Sequence, residues 1–123
     1  MPVEFSVNTE KNLVHIKVTG LANTEELLNC FTEVMSHPDF HSGMKTFTDL
    51  RQAAHFVKPE DVRKIAGLLT RNIKRIKGGK AAAVVSKEVS FGMARMLQMY
   101  TERVPFKIEV FYEADRALQW LET

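Results

Sequence analysis

Asp49 and Arg51 stand two residues apart at the end of an apolar and β-branched run, Thr46-Phe47-Thr48-Asp49-Leu50-Arg51. In sheets built from strand–helix repeats, ligands and partners meet the chain where strands end and helices begin. A carboxylate and a guanidinium at such an end suit a polar pair beside a ligand crevice. The simpler reading, which we favour, is that Asp49 accepts backbone N–H bonds from the connection that follows, as Asp does in turns. Phe56 lies in that connection and Lys58 directly precedes a helix that starts at Pro59. Further along, Phe91 and Met99 fall off the apolar stripe of their own helical stretch. Phe56, Phe91 and Met99 together would line an apolar mouth above the strand ends. The competing reading gives Phe91 a purely structural place, since helices lying side by side on a sheet need a second apolar flank.

Two other groups carry weaker chemistry. His37-Pro38-Asp39-Phe40-His41 holds two imidazoles and a carboxylate. Zinc would need further ligands from His15, His55 or Cys30, and Pro38 breaks any shared helical face, so no metal site is expected. A nucleophile needs a base and an orienter. No Gly-x-Ser-x-Gly is present, Cys30 sits among core positions of a helix, and Gly78-Gly79-Lys80 lacks the Walker spacing. We assign no catalytic residue and no cofactor.

The net charge of +2 hides an asymmetry. Arg63, Lys64, Arg71, Lys74, Arg75, Lys77 and Lys80 fall in a stretch with no acid, while the rest of the chain is acidic. The basic face Arg63, Lys64, Arg71, Lys74 and Arg75 is the basis of an alternative function, binding to nucleic acid or acidic lipid. However, Glu60 and Asp61 open that helix and the bases follow, as the helix dipole favours. Aromatics to stack bases are missing between the charges. A solvated face is the preferred reading, and nucleic acid is not an expected partner.

The elements that position these residues follow from periodicity. Val3–Asn8 and Leu13–Thr19 alternate in polarity, with a hairpin loop at residues 8–12. Asn23 and Glu26 form a capping box before Leu27, Leu28, Phe31, Val34 and Met35, one face of a helix that Pro38 closes. A third strand covers Lys45 to Leu50. A helix runs from Pro59 to about Lys77 and stops at Gly78-Gly79. Lys80 to Ser86 is a run of small apolar residues suited to a central strand with a helix packed closely on it. Ser86 can cap the next helix, which reaches about Arg103 with Val89, Met93, Met96, Leu97, Tyr100 and Val104 on one side. Phe106–Tyr112 alternates again, and Ala114–Glu122 is a final helix. The order is β-β-α-β-α-β-α-β-α, an α/β superhelix. Polar sides on strands one, two and five predict a five-stranded mixed sheet with helices mainly on one face.

With 123 residues, one core and one domain are expected. The longest apolar run is too short for a membrane span, and MPVEFSVN does not read as a secretory signal. A single cysteine in a helical pattern suits a reducing cytoplasm.

The element order, with Leu13–Gly20, Thr46-Phe47-Thr48-Asp49-Leu50-Arg51, Pro59-Glu60-Asp61-Val62, Ala82–Val85, Phe91-Gly92-Met93-Ala94-Arg95-Met96 and the Trp120-Leu121 end, resembles the SpoIIAA-like family of small STAS/SEC14-type domains. The resemblance covers nearly the whole chain. It implies a non-enzymatic bacterial binding module of undefined specific role, recognising a protein partner or a small apolar or anionic ligand near the carboxyl ends of the parallel strands. Neighbouring anti-sigma-factor antagonists carry a phosphorylatable serine just after the third strand. Here no hydroxyl occurs between Asp49 and Glu60, so that switch cannot operate. SEC14-type lipid carriers use extra helices to enclose a larger cavity, which leaves room here only for a small ligand. A partly exposed sheet face or edge also leads us to expect self-association.

Overall fold

Alternating polarity builds the first hairpin. β1 (Val3–Asn8) and β2 (Leu13–Gly20) are antiparallel, with Val3, Phe5 and Val7 opposite Val18, Ile16 and Val14. Asn12 turns the chain at φ 55°, a left-handed conformation that Asn tolerates. The structure, a computed structural model, describes residues 2–54 and 58–123.

α1 (Thr24–Ser36) opens on the capping box: Asn23 Oδ1 accepts the Glu26 N–H at 2.9 Å, and Glu26 Oε1 accepts the Asn23 N–H at 3.2 Å. These bonds satisfy two amide donors that the first helical turn leaves without partners. β3 (Lys45–Ala53) then pairs in parallel with β2. It runs past Leu50 because an irregularity between Lys17 and Thr19 lets pairing resume at Thr19–Gln52 and Gly20–Ala53.

The single long helix expected after Pro59 is two helices, α2 (Pro59–Arg71) and the short α3 (Ile73–Ile76). Asn72 separates them. Its backbone leaves the helical region at φ −115°, ψ 27°, and its side-chain amide donates back to the Leu68 carbonyl at 2.8 Å. A side chain that bonds local backbone in this way competes with the helical ladder. β4 (Lys80–Val84), α4 (Glu88–Tyr100), β5 (Lys107–Phe111) and α5 (Ala114–Leu121) complete the described chain.

The sheet order is β1-β2-β3-β4-β5, with β1 antiparallel and the rest parallel. Each parallel step goes the same way, and right-handed crossovers then place the intervening helices on one face. Leu27, Cys30, Val34 and Met35 of α1 and Ile65 and Leu69 of α2 accordingly share a core with Val14, Ile16 and Val18, and Leu97 of α4 packs against it. α5 follows the last strand and takes the other face. Its Ala117 and Leu121 pack on Phe47, Ala82 and Val84. Lys80 Nζ holds its end by donating to the Trp120 carbonyl at 3.1 Å and to Thr123 Oγ1 at 2.8 Å.

The α5 face is therefore covered at Phe47, Ala82, Val84 and Phe111 and wet over β1–β2, where Glu4, Ser6, His15 and Lys17 are exposed. The small residues of β4 do receive a closely packed helix, but on this side: Ala82, Val84 and Ala117 are each 0% exposed. On the opposite side of the same strand, under the helix layer, Ala81 and Ala83 are only half-buried.

Candidate functional site

That asymmetry has a geometric source. Alternate residues of a strand face opposite ways, so Thr46, Thr48 and Leu50 of β3 and Ala81 and Ala83 of β4 look toward the helix layer. The helix above them presents small residues as well, Ser90 and Ala94 of α4. Small side chains on both layers leave a cavity of about 180 Å³. Its rim is completed by larger apolar groups, among them Ile16, Phe31, Ile65 and Met93. Among the described residues that line it, none is ionisable. The side-chain hydroxyls on its wall belong to Thr46, Thr48 and Ser90, and the hydrogen bonds of the described residues include none made by them. Among the described residues no buried side-chain polar atom lacks a partner, so these hydroxyls are open to accessible space.

Sequence reasoning missed all three hydroxyl residues. It took α4 to face inward through Val89, Met93, Met96, Leu97, Tyr100 and Val104, the line of its largest apolar groups. The inward line is Ser90, Met93, Ala94 and Leu97, at i, i+3, i+4 and i+7. Val89 and Tyr100 are 44% and 47% exposed, and no α4 residue is fully buried. The usable signal was strand parity: Thr46 and Thr48 alternate with Phe47 and Asp49, which face α5 and the open sheet.

The positions singled out from sequence are scattered. Asp49 is buried on the α5 face and is held by Arg51: Nε to Oδ1 at 2.9 Å, Nη2 to Oδ2 at 2.9 Å, and the Arg51 backbone N–H to Oδ1 at 3.1 Å. The pair thus faces away from the cavity. Ser86 does not cap α4; its hydroxyl donates to the Arg51 carbonyl at 3.0 Å, and Lys87 occupies the cap position. Lys58 is exposed at the start of α2, where its backbone N–H donates to Asp61 Oδ2 at 3.0 Å. Phe91 stacks on Tyr112, ring centroids 4.8 Å apart and planes at 8°, on the outer flank of α4. Met99 is 72% exposed. Phe91 and Met99 are not among the residues that line the cavity. Phe56 lies outside the described residues, as does His55.

The basic residues are exposed but not on one continuous helix. Arg63, Lys64 and Arg71 belong to α2, whereas Lys74 and Arg75 belong to α3 beyond the break at Asn72. Arg63 Nε donates to Tyr100 Oη at 3.1 Å and Arg75 donates to the Met35 carbonyl, so two of the five guanidinium or ammonium groups serve the protein itself. His37 and His41 each bond locally, His37 Nδ1 accepting the Asp39 N–H and His41 Nδ1 contacting the Ser42 carbonyl. Among the described residues, no three His, Cys, Asp or Glu side chains converge as metal ligands. Burial, helped by the nearby Glu33 carboxylate, pushes the Cys30 thiol up to about 11, which keeps it protonated at neutral pH and a poor nucleophile. No described helix is long and apolar enough to cross a membrane.

The Asp49–Arg51 pair has a consequence for acid stability. The Arg51 hydrogen bond, assisted by the charges of Arg51 and His15, holds the Asp49 carboxyl below 3.8 even though burial opposes this. A carboxyl depressed in the folded state stabilises fully above its unfolded value and loses that contribution as pH falls through the folded value. Urea unfolding of wild type and Asp49→Asn should therefore differ most above about pH 5, with the gap closing below pH 3.8. A gap that is constant with pH would separate Asp49 from the acid transition.

No protein-family model matches the chain, and no curated protein does. Its structure matches the crystal structure of an uncharacterized protein from the DUF3478 family, with a SpoIIAA-like fold, from Shewanella loihica PV-4. Identity is 15%, the match covers 97% of this chain and 91% of that one, and the TM-score is 0.61. The strand order, the single antiparallel edge and this match agree: the chain has the SpoIIAA-like fold.

Proposed function

We propose that this domain is a non-enzymatic binding module whose ligand occupies the cavity between the sheet and α1, α2 and α4. The observation that carries the reading is a space of about 180 Å³ in the middle of the helix layer, walled by Thr46, Thr48, Ala81 and Ala83. Interiors are packed like organic crystals, and a void this large forfeits contacts that larger side chains at Ala81, Ala83 or Ala94 would restore. A cavity of roughly 150 Å³ in another protein takes up benzene, so a single ring fits here. The charged pair Asp49–Arg51 is tied up on the other face, and among the described residues that line the cavity none is a base.

The anionic-surface alternative draws less support. Its five residues are split between two helices and two of them bond within the protein.

Titration with toluene, followed by amide proton–nitrogen spectra, tests the reading. Shifts should concentrate at residues 81–83 and 90–97 and should vanish in Ala83→Leu, whose added side chain fills the space. Shifts confined to the wet face of β1–β2, or equal shifts in both proteins, would overturn it.

A further inference from the structure

We infer that the ligand is a small neutral molecule with an apolar body and one hydroxyl or carbonyl group, and that Thr46, Thr48 and Ser90 read that group. This rests on the cavity reading and names its ligand class. Three observations carry it. The volume, about 180 Å³, suits a ring with a short substituent and excludes a two-chain lipid. No ionisable side chain is among the described lining residues, so a carboxylate or ammonium would enter without a counter-charge, which is far costlier than neutral transfer.

The third observation is the hydroxyls themselves. Thr46 and Thr48 sit on the same face of β3, and Ser90 faces them from α4. A hydroxyl offers one donor and two acceptor sites, and in these three the side chains make none of the hydrogen bonds found among the described residues. Val at either Thr position, or Ala at Ser90, would match the surrounding aliphatic wall. In the empty protein these accessible hydroxyls are open to water, and a ligand that displaces that water gains affinity when it replaces the lost hydrogen bonds. A ligand oxygen beside any one of these hydroxyls can both donate to it and accept from it. A pure hydrocarbon would leave it unanswered.

The test uses the whole chain and a pair of near-isosteric probes, 4-ethylphenol and 4-ethyltoluene, with 4-ethylbenzoate as the anionic arm. Affinities are measured by calorimetry or amide shifts for wild type and for Thr46→Val/Thr48→Val. Loss of hydrogen bonding should lower the phenol-to-hydrocarbon affinity ratio by about 5–10-fold in the variant. Ser90→Ala, on a helix that accepts alanine readily, provides the same ratio if the strand variant does not fold. An unchanged ratio in these variants, or benzoate binding as tight as the phenol at neutral pH, would overturn the assignment of ligand class while leaving the cavity reading intact. Failure of both neutral probes to bind wild type would overturn the cavity reading as well.

Discussion

Phe47→Ala is expected to lower stability by about 3–5 kcal/mol, the usual cost of removing a buried aromatic ring. Phe47 is 4% exposed and is the largest side chain in the core that α5 closes, where it packs with Ala82, Val84, Ala117 and Leu121. It also stacks on His15, with centroids 5.1 Å apart and planes at 27°. Ala82, Val84 and Ala117 beside it are too short to fill the space that the ring leaves. Because a domain of this size is stable by only about 5–15 kcal/mol, the loss would be a large share of the total. Urea unfolding followed by the fluorescence of Trp120, the single tryptophan, measures it. The indole lies beside Phe111 at 5.9 Å and under Lys80, so it reports on the same layer. A loss below about 1 kcal/mol would mean that α5 does not seal this face.

The second large effect is expected at Gly79. A Cβ there would meet the Met44 carbonyl oxygen at 2.6 Å, the Ile76 carbonyl oxygen at 3.1 Å and Phe106 Cε2 at 3.2 Å. The closest contact is backbone, which cannot rotate aside. Gly79 also accepts the Lys107 N–H at 3.1 Å, so moving it disturbs the entry of β4 and its pairing with β5. Gly79→Ala should cost about 2–3 kcal/mol through overpacking. Gly92→Ala is the control. It lies within α4, a Cβ there meets nothing within 4 Å, and the substitution should stabilise by about 0.5–1 kcal/mol through helix propensity. Thermal melts of the two variants should therefore move in opposite directions. Equal shifts would show that steric contact at Gly79 is not what selects glycine.

How much of this was legible beforehand depends on whether a feature is local. The hairpin, the Asn23–Glu26 capping box and the stop at Gly78–Gly79 are short-range devices, and their residues announce them. The wet face of β1–β2 was also legible, because strand alternation shows it directly. The break at Asn72 was not, since the apolar stripe continues through Ile73 and Ile76 in phase with the preceding helix. The rotation of α4 was missed because bulk was taken as the mark of burial, whereas its inward line is built partly on Ser90 and Ala94. The cavity could not be read at all along one element. It arises only where small residues of β4 and α4 come to face each other, and neither segment alone records the other's choice.

The strand order carries one more consequence. In doubly wound sheets the order reverses at some point, the helices on either side diverge to opposite faces, and a crevice opens between them for ligand. Here the order runs β1 to β5 without reversal. No such switch point exists in this sheet, so the topology offers no ready-made cleft at the strand ends. A binding site in this arrangement has to be carved between layers by side-chain size, and its dimensions can be retuned one residue at a time without altering the path of the backbone.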